Sequence, residues 1–180
     1  MSLPSFVGHS SDDILLLARI AEQAEQFDDM VAILKPYFEA KEEDLSLEER
    51  NELCVAYKNA IGKKRIAYRA AKKVSQMSKY DDFSEESTKY TQKLEEEVVE
   101  LCKDMLGLIQ KQLLPKAKKS GKVESQVFYN KLMGDYFRYV AEVGDGERLQ
   151  KASERALNSY NDAIQKAEHL SPADPTRLSL

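Results

Sequence analysis

Two stretches of this 180-residue sequence carry side chains whose types and spacing could do chemistry. The first, YKNAIGKKRIAYRAAKK, holds seven Lys or Arg and no acid from Tyr57 to Lys73. With about 100° between successive helical residues, Lys58, Arg65, Arg69 and Lys72 fall within an arc of roughly 60°. No carboxylate stands three or four residues away to pair with them, so the aligned cations repel one another. Two outcomes fit: a basic face solvated by water, or a surface that holds an external anion.

The second stretch, VFYNKLMGDYFRYVAEV, aligns Lys131, Asp135, Arg138 and Glu142 along one helical strip, with Tyr139 at its edge. As an exposed ladder of ion pairs it contributes only about 0.3–0.5 kcal/mol per rung. Alternatively, Asp135 aims its neighbouring cations at a ligand. An arginine fork beside a tyrosine hydroxyl suits phosphate, whose oxygens take several directed donors. Such charge-assisted bonds are worth about 1.5–3 kcal/mol each, so two or three separate a phosphorylated ligand from its unmodified form by orders of magnitude.

Other chemistries lack their signatures. There is no Gly-rich phosphate loop, no nucleophile with a histidine base and no metal-ligand spacing, so neither an enzyme nor a metal or cofactor site is expected. Cys54 and Cys102 read as free thiols of a reducing compartment, and His9 and His169 as surface residues. Asp81 and Asp82 fall in a polar, solvent-facing stretch. The net charge of −4 and the run Glu95-Glu96-Glu97 argue against nucleic acid. The apolar run from Ile14 to Ala18 is far short of the ~20 residues of a membrane span, and MSLPSFVGHSS does not resemble a secretory signal. A cytoplasmic protein is expected.

Long helices must position these side chains, and seven Gly and five Pro are few enough to favour them over turn-rich sheet. Ser11-Asp12-Asp13 opens a first helix with Ile14, Leu17, Ala18, Ala21 and Ala24 at helical spacing. A second runs from about Asp28 to Ala40, bent or interrupted at Pro36. Ser46-Leu47-Glu48-Glu49 is a capping-box pattern that begins a third, reaching about Met77. Its packing face (Leu53, Ala56, Tyr57, Ala60, Ala67, Tyr68, Ala71, Val74) is alanine-rich and suits close helix approach. SKYDDFSEES is turn-like, and a fourth helix extends from about Ser84 to Leu114, where Pro115 and KAKKSGK break it. A fifth covers roughly Glu124 to Val143, ended by Gly144-Asp145-Gly146, and a sixth about Glu147 to His169. Asp174-Pro175 starts a seventh, with a capping oxygen and a proline that loses no needed hydrogen bond. The prediction is an all-α antiparallel helical array, about six long helices plus the start of a seventh, in one domain over residues 1–180.

LARIAEQAEQFDDMV, ERNELCVAYKNAIGKKR, VFYNKLMGDYFRYVAEV and SPADPTRLSL, in this order, resemble segments of the 14-3-3 family, all-helical dimeric adaptors that bind phosphoserine and phosphothreonine peptides. The resemblance implies a phosphate pocket at Lys58, Arg65, Arg138 and Tyr139, with Lys131 supporting and Asp135 orienting the cations. It implies phosphorylated client proteins as partners and a homodimer or heterodimer with a related protein. The implied seam sets the first helix against the third and fourth, through Ile20, Ala24, Ala67, Tyr68 and Tyr90, with Asp29 and Lys93 matching a cross-subunit ion pair. Gln26 stands where an arginine normally pairs with the carboxylate matching Glu97. Glu52 and Cys54 replace the usual leucine and serine, Leu132 and Met133 the usual Met-Lys pair, and Ala67 a serine phosphorylated in many members. The competing reading is a tetratricopeptide-like scaffold that binds through apolar faces without regard to phosphate.

In the family, the seventh to ninth helices supply the apolar wall of the peptide groove. The resemblance therefore implies a chain truncated to about the first two-thirds of such a protein. On that expectation, phosphopeptides bind more weakly than to a full-length relative, because flanking peptide residues find few partners, and exposed apolar surface promotes self-association. Side-by-side fluorescence anisotropy with one phosphopeptide checks this; equal affinity counts against it.

Overall fold

The computed structural model describes residues 10–180, the side chains of Tyr80 and Asp81 excepted. The fold is all-α, and no strand occurs among the described residues. Two compact units are formed, one ending at Ala60 and one running from Ile61 to Leu180, with helix α3 (Leu47–Ser75) contributing to both.

In the first unit, α1 (Ser11–Gln23) starts at Ser10, whose hydroxyl accepts the Asp13 N–H while the Asp13 carboxylate accepts the Ser10 N–H. This capping box satisfies donors that a helix start otherwise leaves orphaned. A short turn through Glu25, at φ 54°, leads into α2 (Phe27–Ala40), which packs against α1. Pro36 does not interrupt α2. Both Pro36 and Ala32, whose carbonyl the proline leaves without its helical donor, lie on the exposed face, where water can serve that oxygen. Met30, Leu34, Phe38, Leu45, Leu53 and Tyr57 form the buried centre of this unit.

The predicted box at the start of α3 is present in both arms: Glu49 N–H donates to Ser46 Oγ (3.2 Å) and Ser46 N–H to Glu49 Oε2 (2.7 Å). Burial works against a charged Glu49, but hydrogen bonds from Lys41, Tyr37 and the Ser46 N–H outweigh it and hold the carboxyl below its usual range. Glu52, one turn further on, is buried and accepts from Arg19 Nε on α1 (3.1 Å), yet its Oε2 has no hydrogen-bond partner among the described residues.

The second unit is centred on α6 (Val123–Val143) and α7 (Gly146–Ala167). On α7 the buried residues are Ala152, Ala156, Ser159, Ala163 and Ala167, a stripe small enough to let the two helices approach closely. Gly134 gives α6 its own point of closest approach: a Cβ there would lie 2.6 Å from the Tyr160 ring.

α4 (Ser84–Leu108) packs on α6 after a 3-10 turn (Ser78–Phe83) that occupies the stretch read as polar and turn-like. Contrary to the predicted break, helical winding does not stop at Pro115. It passes through a π-turn (Ile109–Leu113) into α5 (Leu114–Lys119). The Leu114 N–H donates to Ile109 five residues back, and the widened turn moves backbone out of the way of the proline ring, which an unbroken α-turn would clash with. Gly121, at φ 70°, then ends α5. The last helix, α8 (Pro175–Leu178), is capped as predicted, Asp174 Oδ1 accepting from Thr176 N–H (2.8 Å) and Arg177 N–H (3.3 Å). Among the described residues no helix is long and apolar enough to cross a membrane, and no group of three or more side chains could hold a metal ion.

The half-satisfied Glu52 yields a test. Replacing a buried ion pair by apolar residues is often neutral or stabilising, whereas removing one partner is costly when it strands the other charge in the interior. Arg19 is half-exposed and is not stranded. We expect Glu52→Leu to leave stability unchanged or to raise it by about 1 kcal/mol, since Arg19 keeps Glu48 as a partner. Urea denaturation measures it; a loss above about 1 kcal/mol would show that the Arg19 contact outweighs desolvation.

Candidate anion-binding site

The third helix brings Arg65 to α6, and Arg65 and Arg138 meet over one aromatic ring. The Arg65 guanidinium carbon lies 3.9 Å from the centroid of Tyr139 and that of Arg138 4.8 Å from it. The negative face of the ring attracts each cation, but the two cations repel each other.

Two carboxylates of α6 offset that repulsion. Glu142 accepts from Arg65 through Nε (3.0 Å) and Nη2, and from Arg69 Nε (2.6 Å). Asp135 Oδ2 accepts from Lys131 Nζ (3.2 Å), while its Oδ1 accepts from the Tyr160 hydroxyl (2.7 Å) and Arg138 Nη2 (3.4 Å). Arg138 Nε also donates to the Tyr160 oxygen at 3.4 Å. The α6 strip is therefore only partly the ladder its spacing suggests. The 131–135 and 135–138 rungs form, but Glu142 turns across to α3 instead of pairing with Arg138.

Charge and donors are left over. Four cations (Lys131, Arg65, Arg69, Arg138) share two carboxylates (Asp135, Glu142), an excess of two positive charges. Neither Arg65 nor Arg138 has an acceptor for Nη1 among the described residues. The hydrogen bond with Tyr160 raises the Arg138 pKa above its already high ordinary value, so this cation is permanent. Burial opposes ionisation of Glu142, but the bonds from Arg65 and Arg69 prevail and hold its carboxyl below its usual value of 4.5.

Lys58 lies one unit earlier on α3, exposed and without an ion pair among the described residues. Arg69 and Glu142, read on the two charged stripes but not assigned to the pocket, join the cluster, as does Tyr160, which sequence reasoning did not single out. Tyr160 had one available signal: a glycine in mid-helix costs about 1 kcal/mol against alanine, so Gly134 marks a place where a bulky group approaches. Met133 is buried and belongs to the core.

Of the residues implied for a dimer seam, Ile20 and Tyr90 are each 56% exposed, Ala24, Asp29 and Lys93 are exposed, and Ala67 is half-buried. Glu97 pairs within the chain with Lys64 (3.5 Å) and Lys93 (3.7 Å). Tyr68 is different: it is buried and donates to the Val143 carbonyl (3.1 Å), so it serves the interior of its own unit. Cys102 is a buried free thiol, its pKa pushed up by burial to about 12, and Cys54 is a half-buried one. His169 is exposed, whereas His9 and the Asp81 side chain lie outside the described residues.

Comparison with known proteins gives a consistent result. A family model for the 14-3-3 protein matches residues 17–180. The 14-3-3-like protein 2 of Caenorhabditis elegans is 40% identical over 171 residues, covering 94% of this chain and 67% of that protein. The 14-3-3 protein zeta of Bombyx mori is 42% identical over 172 residues, covering 94% and 68%. The checkpoint signal transducer rad24 of Schizosaccharomyces pombe is 40% identical over 175 residues, covering 95% and 63%. The chain spans about two thirds of the length of these relatives.

The Glu142 clamp makes a pH prediction. A carboxyl held below its unfolded pKa stabilises the fold above that value and loses its contribution as pH falls through the folded one. Glu142→Gln should therefore be less stable than the parent near neutral pH, with the gap closing below the usual value of 4.5. Urea unfolding at about pH 7 and about pH 3 checks this; a gap of the same size at both would assign the loss to shape rather than charge.

Proposed function

The chain belongs to the 14-3-3 family, and on that premise we propose that it is a phosphoserine- and phosphothreonine-dependent adaptor in signal transduction that binds client proteins as a dimer. The phosphate is held by Arg65, Arg138 and the Tyr139 hydroxyl, with Lys131 supporting, Asp135 orienting, and Lys58 added by the family likeness. No reaction is catalysed. The protein works in the cytoplasm, and clients are captured by charge and directed hydrogen bonds.

One observation carries this reading: two guanidinium groups from separate helices converge on one ring, with two positive charges and both Nη1 groups left unmatched among the described residues. A phosphate brings about −1.5 to −2 charges and three acceptor oxygens, which such an arrangement suits. The carboxylates beneath stop the cations from scattering into water. Dimerisation is supported separately by exposed apolar side chains, Ile20 on α1 and Tyr90 on α4, that a second subunit would cover. The seam is assigned to Ile20, Ala24, Asp29, Ala67, Tyr90, Lys93 and Glu97.

The test compares one serine peptide with and without phosphate by fluorescence anisotropy, against the parent chain, Arg65→Ala and Arg138→Ala. The parent should prefer the phosphorylated peptide, and each substitution should weaken that form by roughly tenfold to a hundredfold while leaving the unmodified peptide unaffected. Circular dichroism confirms that the variants stay folded. Indifference of all three proteins to phosphate would instead identify a scaffold that binds through apolar faces.

A further inference from the structure

A cleft of about 600 Å³ opens between α4, α6 and α7, and none of its lining residues belongs to the Arg65–Arg138 cluster. Phe137 and Val140 line it from α6, about half a turn round the helix from the strip that carries Arg138, Tyr139 and Glu142. Its floor is apolar: Phe137, Val140, Leu106 and Ala152. Its rim carries four cations, Lys103, Arg148, Lys151 and Arg155, against one lining carboxylate, Glu147.

Those cations are not equally engaged. Arg148 pairs with Glu95, Lys151 with Glu147 at 2.6 Å, and Lys103 with Glu100 at 2.7 Å. Arg155 stands over the Phe137 ring at 5.7 Å and has no carboxylate partner among the described residues. It joins the apolar floor to the charged rim.

Gly107, within α4, is an independent sign that the space is kept open. A glycine inside a helix costs about 0.5–1 kcal/mol relative to alanine. Here no close contact demands it, because a Cβ would meet nothing within 4 Å. The missing side chain leaves room in the cleft that Gly107 lines.

We propose that this cleft binds a small amphipathic anion. An aromatic or acyl body rests on Phe137 and Leu106, and a carboxylate, sulfonate or phosphate head sits with Arg155 and the neighbouring rim cations. The volume lies within the roughly 300–1,000 Å³ of small-molecule sites, and an apolar lining with a few convergent polar groups is their usual composition. Arg155, the rim cation with no carboxylate partner among the described residues, fixes the sign of the head group. The site is independent of phosphopeptide binding, so either reading can fail alone.

The test uses the whole chain and two fluorescent probes that share a body and differ in the head: 1-anilinonaphthalene-8-sulfonate and neutral N-phenyl-1-naphthylamine. The sulfonate should bind at least about tenfold more tightly. Arg155→Glu should abolish that preference, Gly107→Phe should weaken both probes by filling the cleft, and octyl phosphate should displace the sulfonate. Phosphopeptide affinity should be unchanged in Arg155→Glu. The proposal is overturned if Gly107→Phe leaves sulfonate binding intact, since the probe then sits on another apolar surface, or if the two probes bind alike. Sedimentation with phosphatidylglycerol vesicles separates a free anion from a membrane head group. Vesicle binding that Arg155→Glu removes, without displacement by octyl phosphate, would replace the small-molecule site by a membrane surface.

Discussion

Two like charges held over one phenol ring form the constraint from which the second unit takes its arrangement. Arg65 and Arg138 share Tyr139, and without compensation their mutual repulsion would drive both side chains into solvent. The ring alone does not suffice, because a cation–π contact at a partly exposed site is worth only about 0.5–1 kcal/mol. Hydrogen bonds to Glu142 and Asp135 supply the rest, and both acids stand on α6 beside the ring. The register of α6 therefore matters to the residue. Close packing on the alanine stripe of α7, with Tyr160 lying over Gly134, fixes that register and delivers the Tyr160 hydroxyl to Asp135.

The same acids also compete with an anion site, since they already occupy donors that a ligand would want. Magnitudes resolve the conflict. A flexible arginine loses roughly 2 kcal/mol of side-chain entropy when it is immobilised. An arginine already held by a carboxylate has lost most of that freedom before the ligand arrives, so less of the binding energy is consumed in ordering it. Because two carboxylates serve four cations, net positive charge remains. Glu142 and Asp135 thus trade some attraction for geometry, as favours a ligand whose oxygens need several directed donors.

Much of the fold was legible from period and punctuation. The packing face read on α3 is buried at Leu53, Ala56, Tyr57, Ala60 and Tyr68, and the capping box at Ser46 and the N-cap at Asp174 form as their residue types dictate. Local rules failed where a neighbouring part of the backbone could adapt. Pro115 was read as a stop, but a π-turn absorbs the steric conflict that proline creates. Spacing paired Glu142 with Arg138 because i,i+4 pairs on a helix are neighbours, whereas the structure gives Glu142 to two arginines of α3. A competition between helices cannot be seen on one helical wheel. Tyr160 was missed for a related reason: its partners are 22 and 25 residues away, and only the mid-helix glycine hinted at the contact.

The two faces of α6 show how one helix meets opposite demands. Positions 135, 138, 139 and 142 carry charge and a phenol, while Phe137 and Val140 turn apolar surface the other way. A helix polar on one side ordinarily buries its other side, and most of α6 does so against α4 and α7. At Phe137 and Val140 the covering is incomplete, because Gly107 on α4 and Ala152 on α7 are the smallest residues available for the facing positions. Larger side chains there would extend the core, and burying even one methylene is worth about 0.8 kcal/mol. Cations, not hydrophobes, rim the gap, and Arg155 has no carboxylate partner among the described residues, so a neutral apolar occupant would leave that charge unmatched and water would hold it better. An apolar floor under a positive rim thus distinguishes an amphipathic anion from both a plain hydrocarbon and a bare inorganic ion.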